Sequence, residues 1–160
     1  MKNAIAGALC LFLSANAFGQ SQPPAVINQL HADSSLTYLT KVSEIPASVI
    51  EVMKTAMRTD KLKMADKGGK WNVTDAPIDP DLPSQRLIWA VESQKHFVVH
   101  YELSGIGYST HFLVISPPGD DGKRKLEWAA VSFNKKSDNL KKFLALAKSK
   151  KLDADESLMH

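Results

Sequence analysis

Apolar and polar positions alternate through the second half of the chain in the manner of β-strands. Four segments are rich in β-branched and aromatic residues: 86–91, 96–103, 108–115 and 125–133. Four-residue connections separate the first three segments, and short links between sequential strands favour antiparallel pairing. The pattern therefore predicts an antiparallel β-meander of about four strands.

Helical periodicity precedes this meander. Residues 46–58 carry apolar side chains at the spacing of one helix face, with Val49 and Met53 at its centre. Pro46 is compatible with the first turn of a helix. Residues 26–39 have scattered apolar positions without a firm period, which predicts weak helicity.

A second helix follows the meander. Residues 137–151 begin with Ser137 or Asp138 as a capping residue, repeat apolar side chains on one face and end in lysines. The acidic tail at 152–160 is predicted to be loosely ordered. The expected fold class is α+β, a single domain at 26–151 in which the meander packs with an N-terminal and a C-terminal helix.

The N-terminus has the pattern of a secretory signal peptide. Lys2 supplies a positive charge, residues 4–13 are apolar, and the small residues Ala15 and Ala17 have the spacing that a signal peptidase accepts. We therefore expect residues 1–19 to be removed and the protein to be exported, either to a bacterial periplasm or to the medium. The polar residues at 20–25 are expected to form a flexible lead-in.

Composition argues against several classes of function. The one cysteine, Cys10, lies in the predicted signal peptide, so the mature domain is expected to have no disulfide and no thiolate nucleophile. The formal net charge of +3 falls by one when Lys2 is removed, which gives no case for binding nucleic acid. No later segment approaches the roughly 20 apolar residues that a membrane span requires.

The segment 96–112, HFVVHYELSGIGYSTHF, concentrates histidines and aromatic residues around a glycine turn. We predict a two-residue turn that starts at Gly105, because glycine is preferred at the first position of a type II′ turn. In that register His100 faces His111, and a loop of odd length would break the pairing. The predicted histidine face is mixed in character and consists of Leu87, Trp89, Val91, His96, Val98, His100, Glu102, Ser109, His111, Leu113 and Ile115.

The opposite predicted face is the stronger candidate for the core. It consists of Phe97, Val99, Tyr101, Leu103, Tyr108, Thr110, Phe112 and Val114. We expect the helices to cover this face. The histidine face is then either a cleft or contact surface, or a partly covered second face, and the sequence leaves both interpretations open.

Two catalytic hypotheses can be built on this hairpin. His100, His111 and Glu102 offer two imidazoles and a carboxylate, which is a ligand set of the catalytic zinc type without a recognised ligand spacing. Ser104 or Ser109 offers a nucleophile beside the same side chains, but without a nucleophile elbow between a strand and a helix. No motif assigns a nucleophile or a base, so we predict no catalytic residues, no metal ligands and no cofactor.

At the level of architecture the chain resembles small bacterial periplasmic inhibitor and immunity proteins, which bind envelope-directed enzymes. The leading hypothesis is therefore an exported, non-enzymatic binding protein with a protein partner, contacted in part through the long segment 60–85. The predicted contact residues are Trp89, His100, Glu102, Gly105, Tyr108 and His111. The alternatives are a metal-assisted hydrolase and a carrier of a small ligand, which needs a cavity between sheet and helices.

Overall fold

The computed structural model describes residues 25–32, 35–74, 79–105, 107–133, 137–149 and 151–159. The predicted signal peptide and all but the last residue of the predicted lead-in lie outside these residues. Among the residues described, no helix is long and apolar enough to cross a lipid bilayer.

In the described part of the chain the sheet has six antiparallel strands, which follow one another in chain order from edge to edge. Their bounds are Thr37–Leu39 (β1), Gln85–Glu92 (β2), Phe97–Leu103 (β3), Ser109–Ile115 (β4), Leu126–Ser132 (β5) and Asp153–Ala154 (β6). The four central strands confirm the predicted meander. The sequence pattern does not predict the short edge strands β1 and β6, which lie in the segment expected to be weakly helical and in the acidic tail.

Within the described ranges three α-helices pack on the sheet: Ala25–Ala32 (α1), Ala47–Ala56 (α2) and Leu140–Lys148 (α3). The predicted helices that correspond to α2 and α3 are confirmed. The cap of α3 is Asn139, however, and not Ser137 or Asp138. The Asn139 side chain accepts a hydrogen bond from the backbone N–H of Lys142 at 3.0 Å, which satisfies one of the free donors of the first turn.

The helices cover both faces of the sheet, so the domain has three layers. The face under α1 and α3, here called the helix-pair face, has a sheet core of Trp89, Val91, Val98, Phe112, Val114, Trp128 and Ala130. The face under α2, here called the α2 face, has a sheet core of Leu87, Ala90, Phe97, Val99, Tyr101, Leu113, Ile115 and Ala129. The expectation that the helices cover one face is therefore incomplete, because each face carries its own apolar cluster.

The register of the β3–β4 hairpin differs from the predicted one by one residue. Leu103 pairs with Ser109, which leaves a connection of five residues in place of an even number. Within it, Gly107 has a φ of 146°, a conformation that residues with a side chain rarely adopt. The predicted pairing of His100 with His111 is therefore wrong. Because side chains alternate along a strand, the two histidines lie on opposite faces of the sheet.

The C-terminal segment is part of the fold. Strand β6 pairs with β5, and the backbone N–H of Asp155 donates to the carbonyl of Ala129 at 3.0 Å. Asp155 is buried, and Leu158 packs against the core of the α2 face. The prediction that the tail is loosely ordered is therefore wrong for its described residues, 152–159.

Candidate functional site

Trp89 and His100, two of the predicted contact residues, lie in the core beneath α3. Both side chains are buried, and the Trp89 Nε1–H donates to the carbonyl of Ser137 at 2.6 Å. The His100 ring stacks on Phe112 with their centroids 4.0 Å apart and meets the Trp89 ring edge-on at 5.1 Å. The ring of Phe143 from α3 also stacks on Phe112, with their centroids 4.5 Å apart. The buried position of Trp89 and His100 makes them packing residues and leaves no surface for a partner.

Glu102 and Tyr108, two further predicted contact residues, are joined at the end of the β3–β4 hairpin. The Tyr108 hydroxyl donates to Glu102 Oε2 at 2.8 Å, and the Arg86 Nε–H donates to Glu102 Oε1 at 2.5 Å. The Arg86 guanidinium also lies over the ring of Trp71, 4.9 Å from its centroid. Since Glu102 is buried while Arg86 and Tyr108 are partly exposed, the carboxylate holds both side chains in place near the surface.

The long loop before β2 is attached to the same end of the sheet. The backbone N–H of Ser104 donates to the carbonyl of Ser84 at 3.0 Å. The Asn72 side chain donates to the carbonyls of Asp79 and Leu82 at 2.6 and 3.0 Å. These bonds connect the loop to itself and to the hairpin, so its described residues form a fixed surface.

Two large apolar side chains are exposed on this surface. We call it the hairpin end and define it by residues 71–74, 79–84, 104–105, 107–108 and 133. Val73 and Phe133 each expose 59% of their surface. The structure thus brings the long loop and the predicted contact residue Gly105 together, and it adds Phe133, which the strand pattern alone does not distinguish from a buried aromatic residue.

His111, the last predicted contact residue, lies on the α2 face in a chain of hydrogen bonds. Its Nδ1 is 2.7 Å from Asp155 Oδ2, and its Nε2 is 2.9 Å from Ser109 Oγ. The Ser157 hydroxyl donates to the second oxygen of Asp155 at 2.6 Å. Because an ionised carboxylate can only accept, Nδ1 of the neutral ring donates to Asp155 and Nε2 accepts the proton of the Ser109 hydroxyl.

Burial governs the protonation of this chain of residues. It lowers the pKa of His111 below its ordinary value of 6.5, and the hydrogen bond and charge of Asp155 oppose that shift. Tyr101 stacks on the His111 ring with their centroids 5.1 Å apart. Burial, and to a smaller extent the charge of Asp155, raises the pKa of the Tyr101 hydroxyl above its usual range. A neutral His111 can therefore act as a base toward Ser109 near pH 7.

Hydrogen bonds connect a serine to a histidine and the histidine to an acid, as in the triad of a serine hydrolase. The acid comes from the C-terminal segment, 44 residues beyond the histidine, and not from Glu102. Ser109 and His111 can be paired from the sequence because they are two residues apart on one strand. Asp155 could not be identified in the same way, since nothing in an acidic tail marks one carboxylate as buried.

The structure does not assemble the hypothetical zinc ligands. His100 and Glu102 lie on the helix-pair face, whereas His111 lies on the α2 face. Glu102 instead accepts hydrogen bonds from Arg86 and Tyr108. Within the described ranges, no group of three histidine, cysteine or acidic side chains is arranged to hold a metal ion.

A groove lies between α2, the start of β5 and the C-terminal segment. Its volume is about 540 Å³, which is within the roughly 300–1,000 Å³ typical of small-molecule sites. Its apolar walls are formed by Val52, Ala56, Leu126, Leu158 and Met159. Three consecutive basic residues, Lys123, Arg124 and Lys125, also line it. The groove is a cavity between a helix and the sheet, as the carrier hypothesis requires.

Comparison of the chain with protein families, with curated proteins and with solved structures found no match. Function therefore has to be inferred from the geometry of the chain itself. Among the residues that the structure describes, three features have the form of a site: the hairpin end, the Ser109–His111–Asp155 chain and the groove.

Proposed function

We propose that the chain is an exported binding protein that contacts another protein through its hairpin end, as an inhibitor or immunity-type partner of an envelope-directed enzyme. Export rests on the signal-peptide pattern of residues 1–19. The binding role rests on one observation, the exposure of Val73 and Phe133 at one end of the sheet, where hydrogen bonds hold the loop of Val73 in place. Apolar side chains presented by loops on a rigid scaffold are typical of contact surfaces.

The fixed geometry of the hairpin end favours binding because ordering a mobile side chain on association costs about 0.5–1.5 kcal/mol. Asn72 holds the loop beside Val73 through its two carbonyl partners. Glu102 holds Arg86 and Tyr108 through one buried carboxylate. A partner that covers Val73 and Phe133 therefore contacts a surface that folding has already largely ordered, so association loses less conformational entropy.

The test is to capture a partner with the tagged mature chain, residues 20–160, from envelope and secreted fractions of its own and competing cells. The captured protein is identified by mass spectrometry and purified, and its affinity is measured for the wild type, Val73→Asp and Phe133→Asp. We expect each substitution to weaken the affinity about tenfold or more, because burying an unpaired carboxylate in an apolar contact is unfavourable.

Lys95→Asp is the matched control for this test. Lys95 is exposed in the β2–β3 turn, at the end of the sheet opposite the hairpin end. Its substitution is expected to leave the affinity unchanged. The proposal is overturned if no protein is captured, or if the purified partner binds Val73→Asp and Phe133→Asp as well as it binds Lys95→Asp.

A second candidate function is ester hydrolysis by Ser109, which the hydrogen bonds from Ser109 to His111 at 2.9 Å and from His111 to Asp155 at 2.7 Å favour. In this reaction Ser109 Oγ attacks the acyl carbon of an ester while its proton passes to His111 Nε2. The ester C–O bond breaks, and the alcohol leaves with that proton. Water then attacks the acyl-serine by the same route, which releases the acid and restores Ser109.

Labelling with a fluorophosphonate tests this candidate independently of any partner. We expect a mass increase on the peptide that contains Ser109, its loss in Ser109→Ala, and its retention in Ser104→Ala. Hydrolysis of p-nitrophenyl acetate is expected to follow the same pattern. If Ser109 stays unlabelled in the folded wild type, the hydrolase candidate is rejected, and the hydrogen-bonded chain serves to hold the C-terminal segment.

A further inference from the structure

We infer that the groove between α2 and β5 binds a free long-chain carboxylate, such as a fatty acid, with the alkyl chain against its apolar walls and the carboxylate beside its basic residues. The groove lies at the end of the sheet where Leu126 pairs with Ile115, away from the hairpin end, which begins beside Ser109. The inference does not rest on the proposed protein partner, so either can fail without the other.

The walls of the groove suit an alkyl chain. Val52 and Ala56 come from α2, Leu126 comes from β5, and Leu158 and Met159 come from the C-terminal segment. An alkyl chain between them removes apolar surface from water on both the ligand and the protein. Met159 exposes 41% of its surface, and its flexible thioether can adjust to chains of different shape.

The charges around the groove select the head group. Lys123 and Lys125 are exposed, and Arg124 lies between them, partly buried. Glu51, the one acidic residue among those described in the lining, is engaged by Lys54 at 2.9 Å. The lining is therefore basic on balance, which favours an anionic head group over a cationic one.

Arg124 has donor capacity that the described protein does not use. One of its terminal nitrogens, Nη1, donates to the carbonyl of Ser116 at 3.0 Å, which fixes the side chain. Its Nε is buried and has no hydrogen-bond partner within the described ranges of the chain. A guanidinium presents its N–H groups as a planar fork that matches the two oxygens of a carboxylate, so the Arg124 side chain in the lining suits a carboxylate head group.

Binding of dodecanoate to the mature chain tests this inference. Isothermal titration below the micelle concentration compares dodecanoate with dodecanol and with dodecyltrimethylammonium, which share the chain length but differ in the charge of the head group. We expect one dodecanoate per chain and an affinity about tenfold or more above that of either other compound. Equal affinity for all three, or no binding of dodecanoate, would overturn the inference.

Two variants locate the site. Lys125→Glu reverses an exposed charge in the lining, and Thr55→Glu places a carboxylate on an exposed lining position of α2. Each is expected to weaken dodecanoate binding about tenfold with an unchanged thermal midpoint, whereas Lys95→Glu, outside the groove, leaves binding unchanged. Unaltered binding by both variants places the ligand elsewhere and refutes the site. Sedimentation that shows a dimer broken by Lys125→Glu would assign the groove to a second copy instead.

Discussion

His111 and Asp155 are 44 residues apart in the sequence, yet their side chains meet at 2.7 Å on the α2 face. The backbone N–H of Asp155 bonds to the carbonyl of Ala129 beside this contact. Together the two bonds fasten the C-terminal segment to the sheet. That segment also supplies Leu158 and Met159 to the groove, so the pair supports a candidate binding site as well as the fold.

Loss of the Asp155 carboxylate is therefore expected to destabilise the protein. Asp155→Ala should lower the free energy of unfolding by about 1.5–3 kcal/mol, the typical contribution of a hydrogen bond to a charged group. Urea denaturation measures this difference. Asp153→Ala, at an exposed position of β6 two residues earlier, serves as the control and is expected to change stability by about 0.5 kcal/mol or less. Equal effects of the two substitutions would contradict the role of Asp155.

His111 gives stability a dependence on pH with a definite sign. Its pKa in the folded chain is below its ordinary value of 6.5, so below about pH 6.5 the unfolded state binds more protons than the folded state. The stability that the neutral ring contributes is complete above that pH and is lost as the pH falls through the folded pKa. Urea denaturation from about pH 7.5 to about pH 5 measures the free energy of unfolding of the wild type and of His111→Gln. The difference between the two values should become smaller as the pH falls. A difference that does not change with pH would show that His111 is not the source of this pH dependence.

The buried carboxylate of Glu102 is stabilised more by Arg86 than by Tyr108. Arg86→Ala leaves a buried carboxylate without its cation and is expected to cost about 3–5 kcal/mol of stability. Tyr108→Phe removes one hydrogen bond from the same carboxylate and should cost about 1 kcal/mol. Thermal or urea denaturation of both variants gives the order, and a larger loss in Tyr108→Phe would show that the ion pair is not the main support of Glu102.

Phe143 and Phe133 allow the same substitution to be compared at two levels of burial. Phe143 is completely buried between α3 and the sheet, whereas Phe133 is 59% exposed. Phe143→Ala is expected to lower stability by about 3–5 kcal/mol, because it leaves a cavity in the core of the helix-pair face. Phe133→Ala should change stability by about 0.5 kcal/mol or less, so its effect on partner affinity can be measured in a folded protein.

Gly107 and Gly105 form a second matched pair. Gly107→Ala forces a side chain into a φ of 146° and is expected to cost about 1–3 kcal/mol. Gly105 does not have such a φ, and an added Cβ there meets no atom within 4 Å, so Gly105→Ala should be nearly neutral. Denaturation curves of both variants measure the two losses of stability. A larger loss in Gly105→Ala would favour the turn that the sequence predicts at that residue.

The sequence by itself determined the main elements of this protein. Alternation of apolar and polar residues over 86–133 and the helical spacing in 46–58 and 137–151 are local patterns, and local patterns specify strands and helices directly. The lone cysteine at position 10 likewise excludes a disulfide within the chain without any knowledge of the fold. Ser109 and His111 could be paired because two residues of spacing put both side chains on one face of a strand.

Only the tertiary structure decided which residues meet across elements. One additional residue in the turn at Gly107 moves every side chain of β4 to the opposite face, and periodicity cannot detect that slip. The partner of His111 lies in an acidic tail whose burial depends on β6 joining the sheet. The groove arises where α2, β5 and the C-terminal segment come together, although about 70 residues of the chain separate α2 from β5. These relationships depend on contacts between distant segments, and no local pattern of residues encodes them.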